Sequence, residues 1–496
     1  MNGTHFGLIL LLAGVGQASD STSKPHIVLV MADDMGWGQT GYRGHPILQT
    51  PHLDAMANAG LRFERFYAGA PVCSPTRASV LTGRANDRTG VLAHGYALRQ
   101  QERTIAQALQ RSGYVTAHFG KWHLNALRGP GAPILDSDDY HPGRFGFAHW
   151  VSVTNFYDMD PLMSRNGQIE ALEGDSSEIA VDEAIEFFQQ HRDSGRPLLA
   201  VIWYGTPHSP FRAFPEDVAP FTDLDQDSAH HHGELVAMDR SIGTLRHALR
   251  RLKMADNTLL VFCSDNGGLP RIQPETVGGL RGFKGSVYEG GLRVPGIIEW
   301  PGVIRPGITD FPASTMDLFP TIADILDLPD DVFIQPVDGI SLRPLFADRS
   351  IQRTEPIPFR FGFQGASIDN RYKLLTRDWR KDEFQLYDLV NDPAETQDIG
   401  SQHPQRLARM KRQWLAWSQS VDASFAGRDY PEGELNPPDP EPQFWYETPA
   451  YAPFFPKWKE RWEFRTHLER RGKAKKSPAA KPPATKIVPK ATVDQP

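Results

Sequence analysis

Cysteine is almost missing from this chain. Cys73 and Cys263 are the only two among 496 residues. That excludes a disulfide scaffold and a zinc site built from cysteines. An excess of positive charge is also missing. Lys and Arg number 53 against 60 Asp and Glu, a formal net charge of −7. A dedicated nucleic-acid binder is thereby disfavoured. No apolar run is long enough to span a bilayer, and no internal repeat is visible. What remains is ordinary globular composition, 40% hydrophobic and 23% charged, enough for a large core. Chain length divided by about 150 residues per domain gives roughly three domains. The 43 Gly and 41 Pro predict many loops.

The N-terminus reads as a secretory signal. Residues 6–15 form an apolar stretch of ten, the length of a signal h-region. Gly16-Gln17-Ala18 supplies the small residues of a cleavage site, with the cut after Ala18. The n-region carries His5 in place of Lys or Arg. A signal peptide over 1–18 predicts an exported protein, periplasmic or secreted. No cysteine follows the cut, which disfavours a lipid anchor.

Three apolar runs and one β-prone run, 114–119, end in polar or charged residues. Run 27–32 is followed by Asp33-Asp34, and run 114–119 by Gly120-Lys121-Trp122-His123. Run 198–204 precedes Gly205-Thr206-Pro207-His208, and run 259–263 precedes Ser264-Asp265-Asn266-Gly267. Such continuous runs suit strands buried on both faces of a parallel sheet. Helical patterns over 104–112, 177–191 and 234–252 fall between them. The alternation predicts an α/β fold, a large mostly parallel sheet flanked by helices. Ligands bind such sheets beyond the carboxyl ends of the strands. One site can therefore collect all four polar strand ends.

The domain reading is a catalytic unit over 25–345 and a smaller C-terminal α+β subdomain over 346–430. The subdomain is predicted to hold strands at 371–375 and 384–389 and a helix at 406–418. A Pro- and aromatic-rich extension covers 431–470, and a basic tail, 471–496, is predicted to be disordered. From Lys457 onward the chain carries 12 Lys and Arg against 4 Asp and Glu. This reads as a solvated basic end rather than an adhesive one.

Asp33, Asp34, Asp265 and Asn266 offer only oxygen ligands. Carboxylates that face one point repel, and a hard divalent cation, Ca²⁺ or Mg²⁺, resolves the repulsion. Pro75 suits the first turn of a helix running to about Leu81, which places Cys73 at a helix N-terminus that favours an anion. Arg77 in that turn opposes the helix dipole and makes sense beside a bound anion. Cys263, at the end of an apolar run, reads as a small buried hydrophobe. His94 and His118 read as structural. His230-His231-His232 reads as a solvated start to the 234–252 helix in preference to a metal site.

Cys73-Ser74-Pro75-Thr76-Arg77, continuing to Leu81-Thr82-Gly83-Arg84, resembles the signature of type I sulfatases, which belong to the alkaline phosphatase superfamily. The resemblance covers about residues 25–399. It takes in Ala32-Asp33-Asp34-Met35-Gly36, Gly120-Lys121-Trp122-His123-Leu124, Ser264-Asp265-Asn266-Gly267, Arg281-Gly282-Phe283-Lys284-Gly285 and Glu289-Gly290-Gly291. Leu386-Tyr387-Asp388-Leu389, with Asn391-Asp392-Pro393, is similar to the family's C-terminal subdomain. Asn125 departs from the pattern, since a glycine often follows Lys-Trp-His-Leu.

The resemblance implies that Cys73 is oxidised by a maturation enzyme to formylglycine, an aldehyde hydrated to a geminal diol. It implies a cation held by Asp33, Asp34, Asp265, Asn266 and the modified residue 73. Arg77 would stabilise the diol, and Lys121 and Lys284 would clamp sulfate oxygens. His123 would deprotonate the second diol hydroxyl. His208 would assist the leaving alkoxide together with Lys284. The activity implied is hydrolysis of sulfate monoesters on a small molecule or, by preference, a glycan. The loop over 136–166, with His141, Arg144, Trp150, Asn155 and Tyr157, is expected to wall the pocket. A phosphonate or phosphate ester hydrolase on the same fold is the alternative enzyme. An unmatured protein that captures sulfated glycans is the alternative outside enzymes.

Overall fold

The apolar runs become neighbouring strands. In this computed structural model, which describes residues 24–476, Thr258–Ser264, His26–Ala32, Leu198–Trp203, Val115–Lys121 and His149–Val153 lie side by side and parallel. Shorter strands at both edges complete a ten-stranded sheet. Every residue of Leu198–Trp203, Thr258–Ser264 and Val115–Lys121 is buried, as strands covered on both faces require. The strand period of two divides His26–Ala32 between two cores. Ile27, Leu29 and Met31 face one, packed with the helices Cys73–Thr82, Ile105–Arg111 and Leu318–Ile325. Val28, Val30 and Ala32 face the other, beneath Pro51–Ala59, Ser176–His191 and Gln226–Arg251. Full burial of each large aliphatic side chain here is worth about 1.5–3 kcal/mol.

Local signals explain the helix starts. Thr104 and Gln107 form a reciprocal capping box before Ile105–Arg111. Asp175 caps Ser176–His191, and Asp225 caps Gln226–Arg251 through Ser228 N. The last cap corrects the sequence reading of the histidines. The helix begins at Gln226, not near 234, so His231 and His232 lie inside it and are fully buried. Their rings pack against Phe211, Phe221 and His45. His231 Nε2 lies 2.7 Å from Gln39 Nε2, and His232 Nε2 donates to Gln273 O at 2.7 Å. They are core residues, not a solvated helix start.

After residue 345 the chain builds a four-stranded antiparallel sheet from Ile357–Phe361, Gln364–Asp369, Tyr372–Thr376 and Gln385–Asp388. The helix Pro404–Phe425 packs on it through Met410 and Trp414. The extension then returns to the large unit. Its strand Gln443–Phe444 pairs with Leu127–Arg128, and Trp445 is buried among Tyr451, Trp458 and Phe464. The helix Trp462–Lys476 enters the basic tail. The signal peptide read over 1–18, and the tail beyond 476, lie outside the described residues. Among the described residues no helix is long and apolar enough to cross a membrane.

Candidate active site

Four parallel strands deliver their polar ends to one place. Asp33 follows Ala32, Lys121 ends its strand, His208 lies just past Trp203, and Asp265 follows Ser264. Main-chain bonds lock the ends together. Asp33 N donates to Thr206 O, and Asp265 N to Ala32 O, both at 3.0 Å. Asp34 N donates to Asp265 Oδ1 at 3.2 Å. Asp34 and His123 hold positive φ, 71° and 57°, a conformation that side chains rarely take without a local demand.

Asp33, Asp34, Cys73 and Asp265 are all buried, and each brings a ligand atom within 4.8 Å of the others. Cys73 Sγ lies 3.5 Å from Asp33 Oδ1. Asn266 Nδ2 donates to Asp34 Oδ1 at 2.8 Å, while its buried Oδ1 has no partner. Three carboxylates and an orphaned amide oxygen are hard donors, the set that a divalent cation of the Ca²⁺ or Mg²⁺ kind takes. The residues present therefore fit such an ion.

Cations surround this cluster. Arg77 Nη2 pairs with Asp265 Oδ2 at 2.7 Å, and its Nη1 donates to Lys121 O at 3.0 Å. Lys121 pairs with Asp33, and Lys284 Nζ with Asp34 Oδ1 at 2.5 Å. Burial pushes the Asp33 carboxyl up, but Lys121, His208, Arg77 and Lys284 together pull it well below the usual range. Asp265 rises to about 7, because burial and the Asp33 charge outweigh Arg77 and Lys121. Burial pushes the Cys73 thiol up to about 12 in spite of both lysines.

Both ring nitrogens of His123 are buried without a partner, and burial with Lys121 and Arg77 holds the ring neutral. His208 Nδ1 donates to Ser209 O at 2.6 Å, which turns Nε2 toward Asp34 Oδ2 at 3.8 Å. Phe156 stacks on the His208 ring at 4.8 Å between centroids and fixes its plane. Burial and Lys284 lower His208 to about 4.

The glycines of the motifs allow close approach of loops. A Cβ on Gly267 would stand 1.9 Å from Gly290 O, so only glycine lets the Asn266 loop meet the Glu289–Leu292 turn. Lys284 N donates to Gly268 O, and Gly285 N to Pro71 O, which seats the Lys284 loop against both the cation cluster and the Cys73 turn. Arg84 has another task. It pairs with Glu102 and Asp429 and ties the signature helix to the C-terminal segment.

Nine of the ten residues read from the sequence are joined by these contacts, and His123 stands two residues beyond Lys121 in the chain, its buried ring making no hydrogen bond to them. His118 is structural as expected, held at 2.7 Å by Ser152 Oγ and packed between Trp122 and Trp203. His94 departs from its structural reading. It is exposed, and desolvation of its ring together with Lys284, Arg128 and Lys121 lowers it to about 4. Of the loop over 136–166, Trp150 turns into the core and stacks on His141, and Tyr157 is buried. Phe156, which the sequence reading missed, is the loop residue that touches His208. Its position in the motif-poor stretch after His149–Val153 gave no signal.

The Sulfatase family model matches residues 25–328. N-acetylgalactosamine-6-sulfatase of Sus scrofa is 31% identical over 413 residues, 76% of each chain. Human arylsulfatase A is 32% identical over 383 residues, 68% of this chain and 70% of that one. The crystal structure of Ps i-CgsB in complex with k-i-k-neocarrahexaose superimposes with a TM-score of 0.73 at 25% identity, over 89% of this chain and 99% of that one. With more than half of the chain matched and the family's acidic and basic residues gathered at one strand edge, this protein belongs to the sulfatase family of the alkaline phosphatase superfamily and is a sulfuric ester hydrolase.

Proposed function

We propose that the protein hydrolyses sulfate monoesters of saccharides, with Cys73 converted to formylglycine and a Ca²⁺ or Mg²⁺ ion held by Asp33, Asp34, Asp265, Asn266 and residue 73. The observation that carries this reading is the buried convergence of Asp33, Asp34 and Asp265 on Cys73, ringed by Arg77, Lys121 and Lys284. A thiol raised to about 12 offers almost no thiolate at neutral pH, so unmodified Cys73 is a poor nucleophile. Sulfur is also a soft donor among hard ones, and an oxygen in its place completes the set. Formylglycine, as its hydrate, would supply two hydroxyls at residue 73, one as nucleophile and one whose proton can be removed, and a cation held by Asp33, Asp34, Asp265 and Asn266 would supply charge stabilisation at oxygen.

The chain's own residues do the rest. A sulfate ester is an anion that repels nucleophiles, and Arg77, Lys121 and Lys284 offset that charge in a site shielded from water. Neutral His123, with both ring nitrogens unpartnered, has an acceptor free for the proton of the second hydroxyl, and that role is assigned to it. His208 Nε2 and Lys284 Nζ meet at Asp34, where they assist departure of the alcohol oxygen. An anionic ester bound there favours the protonated form of His208. Saccharide substrates are supported by the relative named for N-acetylgalactosamine 6-sulfate and by the neighbour bound to neocarrahexaose. Export and a formylglycine-generating partner belong to the same reading.

The test is mass spectrometry of the tryptic peptide ending at Arg77, from protein made with the maturation enzyme, alongside turnover of p-nitrophenyl sulfate. The aldehyde mass should track activity. Full activity from protein carrying only the thiol overturns the nucleophile assignment.

A further inference from the structure

Arginines in the interior of this protein are paired. Arg88 binds Asp338, Arg246 binds Glu299, and Arg353 binds Asp317, all between 2.7 and 2.9 Å. Arg128 is different. It is half-buried, its side chain makes no ion pair or hydrogen bond among the described residues, and its Nε is buried without a partner. Its Nε thus lacks an acceptor, while the two Nη atoms are not among the buried unpartnered ones and stay open to a ligand.

The fold nevertheless holds Arg128 in place. The strand Leu127–Arg128 is paired to Gln443–Phe444 of the C-terminal extension. Just beyond it, Asn155 Nδ2 donates to Gly129 O at 2.7 Å, and Trp445 Nε1 donates to Pro130 O at 2.9 Å. The side-chain stem lies on Gly95, where a Cβ would stand 2.6 Å from Arg128 Cγ. Its Cζ is 5.8 Å from the Tyr96 ring. Gly95 N in turn donates to Ser74 Oγ at 2.9 Å, which ties this wall to the residue after Cys73. Arg128 therefore packs on the backbone segment that is bonded to Ser74, the neighbour of Cys73 in the signature helix. In the same wall, the Oδ1 of Asn155 is buried and has no donor.

We propose that Arg128 binds a second anionic group of the substrate, a carboxylate or a further sulfate near the ester being cleaved, and so selects doubly anionic saccharides over singly sulfated neutral ones. The inference rests on the sulfate-ester reading above and adds its substrate class. A guanidinium presents a planar fork that matches the paired oxygens of either anion. Substrate then supplies the counter-charge that the protein withholds.

The experiment compares matured wild-type protein with Arg128→Ala and Arg128→Lys on four substrates. These are p-nitrophenyl sulfate, a neutral disaccharide with one sulfate, the same disaccharide with a second sulfate, and a singly sulfated disaccharide with a uronate. Arg128→Ala should lose on the order of ten-fold or more in kcat/KM on a doubly anionic substrate, chiefly through KM, and about two-fold or less on the two singly charged ones. Arg128→Lys should recover part of the loss. A selective loss confined to the disulfated substrate assigns a sulfate, and one confined to the uronate assigns a carboxylate. Equal losses on all four substrates, or none on the doubly anionic pair, overturn the proposal. Retained turnover of p-nitrophenyl sulfate shows that each variant is folded and matured. Wild-type protein that carries the aldehyde but cleaves no sulfate ester overturns the underlying reading, and this one with it.

Discussion

Lys373→Met is the substitution with the most instructive expected outcome, although Lys373 lies on the C-terminal sheet, away from the chemistry. Its Nζ sits between Glu289 Oε1 and Glu395 Oε1, 2.9 Å from each, and all three side chains are fully buried. Glu289 keeps a second cation, Arg293, at 2.7 Å. Glu395 keeps only the Glu289 N–H, at 2.6 Å. Loss of one partner from a buried ion pair costs about 3–5 kcal/mol, because the remaining charge is stranded. Burial already raises Glu395 above its ordinary value while Lys373 pulls it down, so the variant's carboxyl must rise further. A carboxyl raised in the folded state contributes stability below its unfolded value, and that contribution is lost as pH rises through the folded value. The variant should therefore lie closest to wild type near pH 5 and fall behind by about 3–5 kcal/mol near pH 8. Urea unfolding across that range, monitored by tryptophan fluorescence, measures the difference. Adding Glu395→Gln should recover much of the loss at pH 8 by removing the stranded charge. A deficit equal at every pH, or no recovery in the double variant, would mean that Lys373 acts through the packing of its methylenes and that the charge argument is wrong. Glu289 also opens the turn whose Gly290 N holds Arg281 O at 2.7 Å, so the same lysine braces the loop that carries Lys284.

Three further outcomes test the site directly. Cys73→Ala should abolish turnover while changing stability by about 1 kcal/mol or less, since it removes one small side chain from a polar cluster; calorimetry beside the activity assay checks both. A chelator should abolish activity and lower the melting temperature, with Ca²⁺ or Mg²⁺ restoring both; at a hundredfold excess over Kd the ion contributes about 2.7 kcal/mol, and zinc at full occupancy after native purification would contradict the hard-donor argument. His208→Ala should depress kcat/KM on a sulfated sugar at least about ten-fold more than on p-nitrophenyl sulfate, because a sugar alkoxide leaves poorly without help, whereas His123→Ala should release one equivalent of alcohol and then stall. Equal losses for His208→Ala on both leaving groups, with no burst for His123→Ala, would mean that the two roles are wrongly assigned.

The sequence by itself determined where the chemistry would gather. Runs of five to seven mostly apolar residues fix parallel, two-face-buried strands, and their polar ends then have no place but the carboxyl edge of the sheet. Asp33, Lys121, His208 and Asp265 were therefore legible from the residues that precede them. The helix at Cys73 was legible from Pro75, and the Asn266 and Lys284 loops from motifs whose glycines permit close approach. Tertiary structure alone decided what stands opposite each residue. The periodicity of 226–251 marks an apolar face but gives no sign that Phe211, Phe221 and His45 will bury His231 and His232. Phe156 becomes a functional neighbour only because it meets His208, some fifty residues later in the chain. Lys373 and Glu395 are ordinary surface types until the small sheet docks against Glu289. Arg128 looks like any loop arginine until residues 443–445 fold back on its strand and its stem packs on Gly95. Local sequence sets the backbone's choices within a few residues, whereas the partner of a charge is set by which distant segments the hydrophobic cores bring together.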